Sequence, residues 1–295
     1  MDSYNTEAIF HLPGLFMFHK GYYTLLELTQ SRPEVFKDNI KIGSIYGSPQ
    51  CIWNGGRFIS GIWSENDLIS MKTTLTCYQI PARFTFTNCL LTQEHVYDTY
   101  GNLILKIFNT GTNEIICNTD VLEKYIREKY GNNYKYISST TKCLFDKDNQ
   151  EQELLKDYYL TVLNFDHNKD IEYIKTLPNK DKIEVLCNPV CRKDCPMKKF
   201  HYRNISQSQL NFDISQLYHC KETEACLGFW EVKRKSPLFI SDADINNIYL
   251  PLGIKNFKLE GRTNHPLDWV EIILYYLIKE PYKDEIRLKL QQSLW

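Results

Sequence analysis

The chain has 295 residues, 43% of them hydrophobic and 24% charged, enough for a real buried core and unlike disordered or fibrous chains. Lys and Arg total 35 against 36 for Asp and Glu, a formal net charge of -1, so no overall excess points to nucleic acid, although a local basic groove stays open. No run approaches the roughly 18 apolar residues of a membrane span, and MDSYNTEAIFHLPG lacks a basic stretch leading into an apolar one. A cytoplasmic protein without a membrane partner is therefore expected.

The first forty residues read as an N-terminal extension, helical at 22–29, with Pro33 before a short linker. Short β-branched or aromatic runs then recur at 41–46 (KIGSIY), 82–88 (ARFTFTN), 114–118 (EIICN), 134–138 (YKYIS), 158–164 (YYLTVLN), 182–188 (KIEVLCN) and 256–260 (NFKLE). Helices are expected between them at 94–108, 119–130, 169–176 and 267–278. The stretch 146–153 reads as a solvated loop or a helix start, and 196–250 is less regular. Alternating strands and helices predict parallel β/α units. Seven or eight of them in this length fit a closed TIM-like (β/α) barrel, complete or distorted, better than a doubly wound sheet. The sheet would want a phosphate loop, and GSPQCIWNGGR after Tyr46 has neither G-x-G-x-x-G nor a Walker lysine. Residues 41–295 are expected to form a single barrel domain, with a cysteine-rich insertion around 187–226.

The strand runs end in polar residues: Tyr46, Thr87 and Asn88, Asn118, Ser138 to Thr141, Asn164, Asn188 and Glu260 to Arg262. In a β/α barrel those ends converge on the face that carries the active site. Asn and Ser there also cap helices. With Arg57, Arg83, Lys142, Lys258 and Arg262 nearby, the ring suggests a cavity for a small anionic ligand. Arg57, Arg83, Asn88, Asn118, Lys142 and Asn188 are its candidate binding residues. Lys258, Glu260 and Arg262 alternate along NFKLEGR, so a strand would turn all three inward and pack Phe257 and Leu259 on the outer helices. Glu260 is expected to pair with Lys258 or Arg262, the rival reading being a structural ion-pair network.

Of ten cysteines, Cys51, Cys77, Cys89, Cys117 and Cys143 are scattered as small hydrophobes. Cys187, Cys191, Cys195, Cys220 and Cys226 cluster, and without an export signal a metal or redox site outranks disulfides. Cys187 continues the strand pattern and is expected to face the barrel. Cys191, Cys195, Cys220 and Cys226 are the preferred ligands of one metal centre, an iron–sulfur cluster ahead of zinc, because the C-x₂-C zinc knuckle is absent. Five reduced thiols without metal are the alternative. His201 is read as an acid/base or substrate contact, or else as a helix histidine bonded to backbone.

LCNPVCRKDCPMKKFHY after a strand and FKLEGR near the C-terminus resemble the collagenase-like peptidase superfamily, peptidase family U-32. KLEGR is similar to that family's K-[IL]-E-G-R signature, and IYGSP, NGGR and RFTFTN look like its barrel-face segments. The resemblance spans roughly residues 40–275. It implies a TIM-like barrel, sometimes incomplete, and in several members a [4Fe-4S] cluster on four cysteines. The activities it implies divide between proteolysis and oxygen-independent hydroxylation of RNA bases or the ubiquinone ring, with oxygen drawn from prephenate. Matched to the motifs, it marks Lys258, Glu260 and Arg262 as site residues and Cys191 and Cys195 as cluster ligands, with Cys220 and Cys226 added by proximity. This chain is shorter than the better-known members, and its cysteine spacing is its own.

Three functions follow. The first is an iron–sulfur barrel enzyme, hydroxylating or otherwise modifying a small molecule, RNA or peptide, with Arg57, Arg83, Lys258 and Arg262 holding a carboxylated co-substrate. The second is a peptidase, but G-x-S-x-G, H-E-x-x-H and a Cys matched to His and Asn are all missing. The third is a non-catalytic, cluster-bearing partner subunit in a homo- or hetero-oligomer.

Overall fold

The computed structural model describes residues 7–218, 220, 228–262 and 265–294. Eight parallel strands close a barrel in sequence order: β1 (Ala8–Pro13), β2 (Ile40–Gly47), β3 (Ala82–Phe86), β4 (Glu114–Cys117), β5 (Lys135–Ser138), β6 (Leu160–Val162), β7 (Ile183–Leu186) and β8 (Asn256–Lys258). The 82–88 and 182–188 runs thus belong to one sheet, as expected. The first forty residues are not an extension. β1 closes the barrel between β2 and β8, and α1 (His19–Ser31) packs on the outside through Tyr22, Leu25 and Leu26.

The outer layer continues with α2 (Glu65–Cys77), α3 (Thr99–Ile107), α4 (Asp120–Tyr130), α5 (Lys147–Leu154) and α6 (Ile171–Thr176). The helix expected at 94–108 is broken at Asp98, whose carboxylate accepts from the Gly101 N–H at 2.6 Å and so starts α3 afresh. Between β7 and β8 run α7 (Lys198–Asn211), α8 (Gly228–Lys235) and the short α9 (Asp242–Asp244). α10 (Pro266–Leu277) and α11 (Lys283–Ser293) complete the chain. No helix among the described residues is long and apolar enough to cross a membrane.

Period-two alternation separates two environments. Phe10, Leu12, Phe84, Phe86, Ile115, Val185, Phe257 and Leu259 point outward into the main core between strands and helices. Cys187 packs there too, not inside the barrel as its place in the strand pattern suggested. Inside, Ile116, Ile137, Leu160 and Val162 form a small apolar plug on the β4–β6 side.

The opposite side of the interior is charged. Arg83 donates to Glu114 at 2.5 Å and to Glu184, and its Nη2 lies 2.9 Å from His11 Nδ1. Ser44 and Asn256 hold the two His11 nitrogens at 2.9 and 3.2 Å. Burial, then the Arg83 charge, pulls His11 down to about 3, so it is neutral. Burial pushes the Glu184 carboxyl up, but the Arg83 and Lys258 charges outweigh it and hold it at about 2.

Both groups take up protons more readily when unfolded, so stability falls as pH falls. The His11 effect begins near its ordinary 6.5 and runs toward about 3, and that of Glu184 begins near 4.5 and runs toward about 2. At pH 4.5 the His11 term alone should cost about 2–3 kcal/mol. Urea unfolding at pH 7 and pH 4.5 measures it. His11→Asn should flatten the decline, and equal stability at both pH values would contradict it.

Candidate active site at the barrel mouth

The C-terminal strand ends surround a cavity of about 850 Å³, larger than the open pocket of about 500 Å³ at the other end. In a β/α barrel this is the end where ligands bind. Its walls include Tyr46, Thr85, Thr87, Ser139, Thr140 and Thr141 from the strand ends. Arg57, Cys191, Lys198, His201, Tyr202 and Cys220 come from the loops and α7, and Lys258, Glu260 and Arg262 from the end of β8. Tyr46, Thr87 and Ser139 to Thr141 therefore stand where the polar ring was expected.

Arg262 is buried at the rim of this cavity. Its Nη1 donates to Asn54 Oδ1 at 3.0 Å and to Thr85 Oγ1, and its Nη2 donates to the Gly55 carbonyl at 2.8 Å. All three acceptors are neutral. Among the described residues no carboxylate forms an ion pair with Arg262. Burial pulls it down to about 10, so it remains a cation at neutral pH.

The cradle depends on backbone that only glycine allows. A Cβ on Gly55 would sit 2.4 Å from the Thr87 carbonyl carbon and oxygen and 2.5 Å from the Asn88 nitrogen, and Gly56 has φ +75°. Gly55→Ala should cost about 1–3 kcal/mol, because the obstruction is backbone of the β3 end. Thermal or urea unfolding measures this, and a variant as stable as the parent would refute the close approach.

Glu260 does not pair with Lys258 or Arg262. It is bonded to Arg57, its Oε2 accepts the Val190 N–H at 3.1 Å, and Asn188 clamps its backbone on both sides at 2.7 and 2.9 Å. Asn188 is thus a positioning residue for Glu260. Lys258 points inward as expected. Its Nζ lies 3.8 Å from Glu184 Oε1 and 4.6 Å from the centre of the Tyr46 ring. Burial first, opposed by Glu184, with Arg83 and Arg262 adding to the shift, pulls the Lys258 amine down to about 8.

The remaining binding candidates lie elsewhere. Arg83 is wholly buried beneath the cavity and committed to Glu114 and Glu184. Asn88 bonds Ile52 O and Ser206 O and caps Leu90 N. Asn118 donates to Thr141 at 2.8 Å, and Lys142 pairs with Glu153 at 2.6 Å. These side chains brace the loops and strands around the cavity. The helix-capping reading holds for Asn164, which starts the short turn of helix at Phe165–His167, while Asn88 closes a turn rather than a helix. Of the six, Arg57 alone lines the cavity.

Sequence reasoning missed the residues that lay the β7–β8 segment across the mouth. Gln209 of α7 accepts from the Ile59 N–H at 2.9 Å and donates to the Ile59 carbonyl at 3.1 Å. Ser206 accepts from the Cys89 N–H at 3.1 Å. α7 thereby reaches from β7 over to the loops after β2 and β3. At its start Lys198 forms a buried pair with Asp166 at 2.6 Å and lies 3.8 Å from the centre of the Phe165 ring. The sequence holds no local signal for these contacts, since their partners are between 32 and 150 positions apart.

His201 lines the cavity, with burial and then Arg57 pulling its imidazole down to about 4, so it is neutral. Cys191 and Cys220 line it too, and Cys195 is buried close enough to Cys191 to disfavour its thiolate. Burial in the first place pushes the Cys191 thiol up to about 12. Cys226 lies outside the described residues. Among those described, no three His, Cys, Asp or Glu side chains converge as metal ligands. The described thiols do not by themselves fit a four-cysteine cluster.

No protein-family model matches this chain, and no curated protein matches it by sequence. Among solved structures it is similar to the U32 peptidase Mk0906, with a TM-score of 0.54 at 10% identity, over 90% of this chain and 97% of that one. The shared feature is the fold: this chain is a TIM-like barrel of the kind seen in that U32 peptidase.

Proposed function

We propose that the chain is a U32-like barrel enzyme that binds a small carboxylate-bearing substrate in its mouth cavity. One observation carries this reading. Arg262 is a buried guanidinium at the cavity rim whose acceptors among the described residues are all neutral, whereas the neighbouring Arg57 is already bonded to Glu260. Burying a cation without a counter-charge is costly, and a bound carboxylate would offset that cost through paired hydrogen bonds. Lys258 adds a second positive group to the wall, while Tyr46, Phe58, Phe165 and Tyr202 supply apolar faces for the rest of the ligand. Phenyllactate is a suitable probe, with its amide as the control. The acid should raise the melting temperature and the amide should not. Equal shifts from the two would overturn the reading.

The family's hydroxylating chemistry is a second reading, supported by Cys191 and Cys220 both lining the cavity, with Cys195 close to Cys191. When bound, an iron–sulfur cluster would supply electron transfer. Anaerobic purification followed by a visible spectrum and iron and zinc analysis tests for either metal. Peptidase chemistry has weaker support, because the Cys191 thiol is held protonated and so is a poor nucleophile.

A further inference from the structure

We propose that Lys258 is an amine nucleophile that forms an imine with the substrate, and that the substrate is a 2-oxo acid whose carboxylate is taken by Arg262. The inference rests on the carboxylate reading above and adds the reacting group and the substrate class.

Among the described residues two lysines line the cavity, and they differ. Lys198 is locked to Asp166 at 2.6 Å. Lys258 has its nearest carboxylate oxygen, Glu184 Oε1, at 3.8 Å, beyond hydrogen-bond reach. That oxygen is buried and has no hydrogen-bond partner among the described residues. The Lys258 amine is therefore placed on the wall of a ligand-sized cavity with no hydrogen bond to its side chain among the described residues, loosely paired at 3.8 Å with a Glu184 oxygen that has no hydrogen-bond partner there either.

The groups around it suit imine chemistry. Arg83, Arg262 and the neutral His11 surround the amine together with Glu184, Glu260 and Tyr46. Burial and the two guanidinium groups disfavour the ammonium and leave a reactive share of free amine near neutral pH. Its lone pair adds to the carbonyl carbon, and the C=O π pair moves to oxygen. That oxygen then leaves as water with the two protons the nitrogen loses, and C=N forms. Protonated, the imine returns a positive charge to Nζ, where Glu184 Oε1 faces it. No oxidant or reductant is needed, and hydrolysis reverses the step.

The test treats the full chain with phenylpyruvate and sodium borohydride, which reduces C=N to a stable secondary amine, and maps the adduct by peptide mass spectrometry. The adduct is expected on Lys258, at least tenfold above any other lysine, and absent in Lys258→Arg, which keeps the cation but forms no imine. Phenyllactate, which has no ketone, should block it, and the yield should rise with pH through about 8. Label spread evenly over the lysines overturns the proposal. Arg262-dependent binding of both acids with no Lys258 adduct overturns the imine alone. Failure of both acids to bind overturns the carboxylate reading and the imine with it. The wild-type peptide map decides the matter even if a variant fails to fold.

Discussion

Arg83→Met should lower the unfolding free energy by about 3–5 kcal/mol, the typical result of removing one partner from a buried ion pair. Arg83 is fully buried and is the direct donor to both Glu114 and Glu184, themselves buried in the interior. After substitution Glu114 loses its ion-pair partner. Among the described residues Glu184 then keeps the more distant Lys258 at 3.8 Å and the neutral His11 at 3.5 Å. The cost is thus mainly that of stranded carboxylates rather than of lost packing. A double variant, Arg83→Met with Glu114→Gln, should recover part of the loss, because it removes the anion left unpaired. Urea unfolding at pH 7 measures both. A loss below about 1 kcal/mol in the single variant would show that the network does not hold the barrel together.

Arg262→Ala should behave in the opposite way. Among the described residues it strands no anion, because Glu260 is already bonded to Arg57 and Val190. What it leaves is a set of neutral acceptors, Asn54, Thr85 and the Gly55 carbonyl, and Thr85 still donates to Asn54 at 2.9 Å. The stability cost should be about 1–3 kcal/mol, that of unsatisfied acceptors. The binding cost should be larger in its consequence. Losing a buried guanidinium–carboxylate contact is worth about 2–5 kcal/mol, or roughly thirtyfold to several thousandfold in affinity. Circular dichroism with calorimetric titration separates the two effects. A variant that unfolds would mark Arg262 as a structural residue.

Most of the barrel was legible because its strands are short hydrophobic runs with polar ends. β1 was not. AIFHLP places a buried histidine inside an apolar run and ends on proline, so it shows neither alternation nor a clean strand boundary. α2 was missed because ENDLISMKTTLTC is rich in β-branched residues, although Ser64 and Asp67 form a capping box that could have marked its start. At the site, the inward direction of Lys258 followed from alternation, which is a local property. The partners of Glu260 and Arg262 did not follow, because Arg57 and Asn54 reach them from more than 200 positions away through the folded Gly55–Gly56 turn. Arg83 illustrates the same limit. Its position on a strand was readable, but its depth in the barrel, and so its structural role, depended on closure of the sheet.

The central claim is that Arg262 makes the barrel mouth a carboxylate site. Calorimetric titration of phenyllactate into the wild-type chain and into Arg262→Gln tests it most directly. The account predicts saturable one-site binding to the wild type that weakens at least thirtyfold in the variant, with the variant still folded. Equal affinity for the two folded proteins would contradict it.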